Sequence, residues 1–324
     1  SRHVRSQTSK RARPFLGLGG APARAMRVSV LALSGEPVAS LEAEPHWTAR
    51  DLRERLAEEG LPEAALQRFV HNGSLLSATT SLADADVVAG SQLTLVHVRV
   101  RALTGASDGT AKIWNAASGE CTVSLQGHDG SVRSAVFSPD GEAVLTGSSD
   151  STAKLWDASS GECVSTLDGH ARAVFSASFS PDGGRALTGS WDRSARLWDL
   201  ASGTCVTALD GHSRAVLSAA FSPDGALAVT ASADHVARLW DLASGRCVRA
   251  LAEHGRAVFS AAFAPDGASV LTASWDRTAR LWDAASGCCL GSLEGHKDAV
   301  RSAAFSPDGA PLVLTASDDR TARL

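Results

Sequence analysis

The chain has 324 residues, 44% of them hydrophobic and 20% charged, with a formal net charge of -4. That length and apolar content suffice for one large or two ordinary cores, and the acidic balance gives no general attraction to nucleic acid or to an anionic membrane. No apolar run approaches the ~20 residues of a spanning helix and nothing at the start reads as a signal peptide, so a cytoplasmic or nuclear chain is expected.

Residues 1–25 hold six Lys or Arg and no acid and read as a flexible basic tail. Residues 26–99 have another character. "RVSVLAL" and "VASLEAE" alternate apolar and polar residues around "SGEP", the pattern of a hairpin. Thr48 followed by Asp51 in "TARDLRERLAEEG" is a capping box opening a helix, with Gly60 as its stop, and "QRFVHNG" and "SQLTLVHVR" supply further strands. This order, with "LSGEPVASLEAEP", "QRFVHNGSLL" and "SLADADVVAGSQLTLV", resembles the ubiquitin-like family. The resemblance implies a small α+β (β-grasp) domain with an apolar partner patch at Leu33, Val70 and Val96, positions that can equally be ordinary strand residues. The segment runs into "RVRALTGAS" without a Gly-Gly tail and has no lysine, so a non-conjugating docking module is expected.

From residue 100 to 324 a strict period governs the sequence. Trp114, Trp156, Trp198, Trp240 and Trp282 recur every 42 residues, as do His128, His170, His212, His254 and His296. Such a period means one supersecondary unit stacked many times. Within "GHARAVFSASFSPDGGRALTGSWDRSARLWDLASGTCVTAL" short apolar stretches alternate with the turn signals "SPDG", "SWDR" and "LASG", giving four strands and no helix. Gly-His near one end and Trp-Asp near the other resemble the WD-repeat family, which implies four-stranded blades of a β-propeller. Four units, 131–294, are whole and two are partial. The expectation is part of a ring of six or seven blades, unable to close by itself.

The resemblance also implies a polar network in each blade: His128, Ser148, Asp150 and Trp156, then His170, Ser190, Asp192 and Trp198, and so on through the repeats. In it Asp accepts from the imidazole, which passes a bond to Ser and on to the indole. A Ser-His-Asp triad is the competing reading. Catalysis needs one site, whereas a scaffold needs every copy, and no serine lies on a G-x-S-x-G elbow, so a non-enzyme is expected. Cys121, Cys163, Cys205, Cys247 and Cys289 share the period and read as small apolar fillers, too far apart for disulfides. No C-x-x-C or H-x-x-x-H cluster suggests a metal, and no cofactor is expected.

Two further tryptophans fall outside this network. Trp191 and Trp275 each precede the turn Asp, where other units carry Ser107, Ser149, Ala233 and Asp318. A position accepting Ser, Ala or Asp is exposed. In WD-repeat proteins this turn lies on a face used by partners, beside the residue after the Val of the innermost strand, here Arg133, Phe175, Leu217, Phe259 and Arg301. The loops ahead of those strands add Arg172, Arg214 and Arg256. Trp, Phe and Arg are enriched where interfaces gain most of their energy. The expected function is a protein-protein interaction scaffold binding a protein or peptide within a multiprotein complex, with a link to ubiquitin-type recognition carried by the first domain. An RNA-binding propeller is the alternative, disfavoured by the acids of the repeats.

Overall fold

The computed structural model describes residues 26–31, 37–58, 67–72, 74–76, 80–97, 100–306 and 312–324. By internal packing the chain separates into two compact units, Ser1–Val100 and Arg101–Leu324. Among the described residues no helix is long and apolar enough to cross a membrane.

In the first unit, β1 (Met26–Leu31) and β2 (Pro37–Ala43) pair antiparallel. The helix α1 (Ala49–Glu58) follows, then β3 (Gln67–His71), β4 (Ser74–Leu75) and β5 (Gln92–His97). The sheet order is β2-β1-β5-β3-β4, with β1 and β5 parallel. Thr48 opens the helix as the pattern requires: its N–H and hydroxyl both donate to Asp51 Oδ2 at 2.8 Å, and Arg50 N–H returns to Thr48 Oγ1 at 3.2 Å. These bonds satisfy donors that have no partner inside the first turn. Leu52 and Leu56, one turn apart, bury against Val28, Val30, Leu41, Phe69 and Leu93. Gly60 lies outside the described residues.

The second unit consists of six repeat sheets. The second to fifth have four antiparallel strands each, and the first and last have three. In the second sheet the strands are Val132–Phe137, Ala143–Ser148, Ala153–Asp157 and Cys163–Leu167, each paired to the next. The first strands of successive sheets, beginning at Val132, Val174, Val216, Val258 and Val300, pack on one another and form the inner side of the array. The second strand is buried along almost its whole length, whereas in the second to fourth sheets the fourth strand buries only its closing leucine. This gradient follows from position, since a strand between two neighbours inside a stack has apolar contacts on both faces and an outer strand does not.

The period-42 tryptophans hold neighbouring sheets together. Trp156, Trp198, Trp240 and Trp282 are each 1% exposed. Trp282 packs against Leu239 and Leu251 of the preceding sheet, and Trp240 packs likewise against Leu197 and Leu209. The glycine before the histidine makes room for this. Gly211 has φ +153°, and a Cβ there would stand 3.3 Å from the Trp240 ring. Glu253 occupies the same place one repeat later, where it pairs with Arg280 at 2.6 Å.

The cysteines do not fill the interior. Cys121, Cys163, Cys205, Cys247 and Cys288 are exposed, Cys289 is half-buried, and all six are free thiols. They lie at or next to the start of the outer strand, whose outward side has no neighbouring sheet. The expectation of apolar fillers took the period for a sign of burial, but a repeat copies exposed positions as faithfully as buried ones.

Candidate functional site

The polar network of each repeat runs through a threonine, not the serine two residues later. Trp198 Nε1 donates to Thr188 Oγ1 at 2.8 Å, Thr188 Oγ1 lies 2.8 Å from His170 Nε2, and His170 Nδ1 lies 2.7 Å from Asp192 Oδ2. The same set joins Trp156, Thr146, His128 and Asp150, and recurs around Thr230 and Thr272. Ladder register explains the correction. Trp198 stands opposite Ala186, so Thr188 is two residues along its strand and Ser190 four, ~13 Å away at 3.3 Å per residue. Ser190 instead ties the turn: its hydroxyl donates to Arg172 O at 2.9 Å and accepts from Asp192 N–H at 3.1 Å.

A consistent direction runs along this chain of donors. The indole N–H donates to threonine, the threonine O–H to Nε2, and Nδ1–H to the carboxylate, which requires a neutral imidazole protonated on Nδ1. Burial pushes His128, His170 and His254 below 6.5, in agreement with that state. Burial would raise Asp192, but bonds from Ser194 and His170 outweigh it and hold the carboxyl at about 2. The same elements of a triad occur in every whole repeat, with each threonine hydroxyl sealed at 0% exposure. A hydroxyl with no access to a substrate is a structural joint.

The pairing that closes each network also builds a face. Val174 pairs with Ser190, and Trp191 N–H donates to Ala173 O at 2.9 Å. The start of the first strand and the turn after the second therefore meet at one end of the sheet. Trp191 and Trp275 stand there, 54% and 48% exposed. Trp191 meets Phe175 edge-on with centroids 5.6 Å apart, and Trp275 meets Phe259 at 5.9 Å and a 33° tilt. Both pairs have the spacing of favourable ring contacts. The flanking sheets add cations over the phenylalanines: Arg133 at 5.8 Å from the Phe175 centroid and Arg301 at 4.3 Å from that of Phe259. Arg133 is held by Ser149 Oγ at 2.8 Å and Arg301 by Asp318 at 2.7 Å.

Across five sheets the row reads Arg133, Phe175, Leu217, Phe259, Arg301, symmetric in residue type about Leu217. Arg172, Arg214 and Arg256 are exposed in the adjoining loops. Sequence reasoning did not place Arg193, Arg277 and Lys297 among the candidate site residues. The two arginines follow the turn Asp with φ +79° and +75°, and Arg277 and Lys297 line a cavity of about 440 Å³ with Arg256, Trp275, Asp276 and Asp298. The repeated "WDR" was the available signal. At the opposite end, Phe137, Phe179, Phe221, Phe263 and Phe305 line an apolar funnel of about 560 Å³.

In the first unit, β3 pairs with β5 so that Val70 stands opposite Thr94 and Arg68 opposite Val96. The side chain of Val70 lies on the side of the sheet opposite Phe69, and that of Val96 lies outside the described residues. Val70 is half-buried, and Leu33 lies outside the described residues.

The WD domain, G-beta repeat family matches this chain at residues 119–157, 161–199, 203–241, 245–283 and 287–324. The chain belongs to this family. Each matched WD repeat supplies the outer strand of one sheet and the inner three of the next, so the sequence unit and the sheet are offset and neighbouring sheets are linked covalently. A stretch of 42 residues, 13% of this chain, is 48% identical to nuclear distribution protein PAC1 of Mycosarcoma maydis, covering 9% of that protein. A stretch of 43 residues is 49% identical to nuclear distribution protein PAC1 of Cryptococcus neoformans var. neoformans serotype D (strain JEC21 / ATCC MYA-565), covering 10% of it. The chain thus spans about a tenth of the length of these relatives.

Proposed function

We propose that this chain is a non-catalytic interaction scaffold that captures a protein or peptide on the propeller face bearing Trp191 and Trp275. The observation that carries the proposal is the pair of exposed indoles, each placed against a phenylalanine in alternate sheets. Large aromatic groups left half in water lose it on binding at little conformational cost. Sealed hydroxyls repeated in every unit support a role without catalysis.

We read the first unit as a ubiquitin-like, β-grasp module that adds a second docking surface through Val70 and Val96. The order β2-β1-β5-β3-β4 with its parallel central pair supports that reading. Its use in ubiquitin-type recognition rests on fold analogy. We place the chain in the cytoplasm or nucleus, within a multiprotein complex.

Affinity capture from a cell lysate with wild type and the Trp191→Ala/Trp275→Ala variant tests the proposal, after circular dichroism has matched their folds. Loss of specific partners in the variant is expected. Equal capture by both proteins would remove the aromatic face from the binding site.

A further inference from the structure

Both tryptophan turns stand among guanidinium groups that have no acidic partner. Arg172, Arg193, Arg214, Arg256 and Arg277 are exposed, and among the described residues their side chains enter no ion pair or hydrogen bond. The carboxylates near them are committed elsewhere. Asp192 and Asp276 accept from His170 and His254 and from the Ser194 and Thr278 hydroxyls, and Asp318 is bound to Arg301. In the cavity beside Trp275, Arg256, Arg277 and Lys297 face Asp276 and Asp298. Three cations against two carboxylates leave one positive charge in excess, on a chain whose net charge is -4.

We propose that this face binds an acidic peptide, with an Asp or Glu side chain held in the cavity beside Trp275 and a neighbouring apolar side chain laid on the indole. The proposal rests on the propeller-face reading and adds the chemistry of the partner. A guanidinium fork matches a carboxylate with two parallel bonds, and Arg256 and Arg277 supply two forks around one indole. A single excess charge suits a carboxylate better than a phosphate dianion, which Asp276 and Asp298 would repel. Two repeats earlier, Arg172 and Arg193 hold the repeat positions of Arg256 and Arg277 beside Trp191, and Ser213 and Arg214 hold those of Lys297 and Asp298. Between the two stations the middle sheet carries Leu217 and Ala233 at the Phe and Trp positions and Arg214 and His235 at the arginine positions, with no bulky aromatic pair in the way of one extended chain crossing from one to the other. Two linked contacts bind more tightly than either does separately. A polyphosphate strand fits less well, because Asp129 and Asp298 are exposed on the same loops.

Selection of a random peptide library on the immobilised full chain tests the proposal. The enriched sequences are expected to place Asp or Glu beside an aromatic or aliphatic residue. A synthetic peptide of that sequence should weaken about tenfold or more toward Arg256→Gln/Arg277→Gln, weaken with added salt, and lose binding when its own acids become Gln. Enrichment of neutral or basic peptides, no enrichment, or equal affinity for the glutamine variant overturns the proposal. So does tighter binding of a phosphoserine version of the peptide or of oligouridine. The Trp191→Ala/Trp275→Ala variant separates the two readings. Peptides that depend on the tryptophans but not on the arginines sink the charge assignment alone, whereas peptides that ignore both sink the face.

Discussion

Replacing Thr188 by Val tests the network at its joint. Valine keeps the shape of threonine and removes one hydroxyl, which accepts from Trp198 Nε1 and bonds His170 Nε2, both at 2.8 Å. Thr188 is 0% exposed and its partners 1% and 6%, so water cannot take its place. Each buried polar group left without a partner costs about 1–3 kcal/mol, so Thr188→Val should destabilise its blade by about 2–6 kcal/mol. Thr188→Ser keeps the hydroxyl and loses one methyl group, at a cost of about 1 kcal/mol.

A chain of stacked sheets need not unfold in one step, so a local readout is preferable to a global midpoint. Hydrogen exchange in Arg185–Ser190 and Ala195–Asp199 should accelerate by about thirtyfold or more in Thr188→Val, the equivalent of 2 kcal/mol. The equivalent strands two sheets away, Ser269–Ser274 and Ala279–Asp283, should keep wild-type protection. The indole N–H resonance of Trp198 should shift in Thr188→Val and stay in place in Ser190→Ala, which breaks only turn bonds. A shift in Ser190→Ala with none in Thr188→Val would refute the threonine route.

Acid should weaken the second unit in two stages. Burial depresses His128, His170 and His254 below 6.5; the unfolded chain then binds protons that the folded chain refuses, so stability is complete above pH 6.5 and falls as pH drops below it. Asp192 and Asp276, held at about 2 against 3.8, add a second loss below pH 3.8, and a thermal midpoint that rises between pH 6.5 and 5 would contradict this account. The two kinds of tryptophan should separate cleanly: Trp198→Ala removes an indole wedged between sheets and costs about 3–5 kcal/mol, whereas Trp191→Ala, half in water already, stays within about 1 kcal/mol of wild type in urea denaturation. A disulfide reagent added to the native chain should label five thiols quickly and Cys289 more slowly; protection of all six until denaturant is added would place the cysteines inside.

The period was the most legible feature of the sequence, because it needs only counting: equal spacing of Trp and His marked the repeat, and the turn signals within one unit marked its four strands. What a period does not reveal is which member of a repeated set touches which. Thr188 and Ser190 recur with equal regularity, and only the ladder register, with Trp198 opposite Ala186, decides between them. Burial is hidden for the same reason: Cys205 and Trp198 keep the same beat, yet one is exposed and the other sealed. The departures from the beat were more informative about the face. Trp191 and Trp275 stand where other repeats tolerate Ser, Ala or Asp, and a position free of structural demand can carry a group kept for contact. The cavity beside Trp275 was not legible, since Lys297 and Asp298 reach it from the loop of the next sheet and no spacing within one repeat indicates that.

The face and the network are not independent. Ser190 ties Asp192 N–H to Arg172 O, and Asp192 is itself held by His170, so one set of bonds fixes both the turn that presents Trp191 and the loop that presents Arg172. The backbone of the turn that carries the indole and of the loop that carries Arg172 is thereby fixed, which lowers the ordering that binding there would require. A defect in the buried network should therefore reach the surface. Thr188→Val, though its hydroxyl touches no partner, should loosen the Trp191 station and leave the Trp275 station, with its own Thr272, His254 and Asp276, intact. A selected peptide would then lose one of its two contacts and bind the Thr188→Val chain with the same affinity as the Trp191→Ala chain. Wild-type affinity in Thr188→Val, measured where the blade is still folded, would show that the turn holds its shape without the network beneath it.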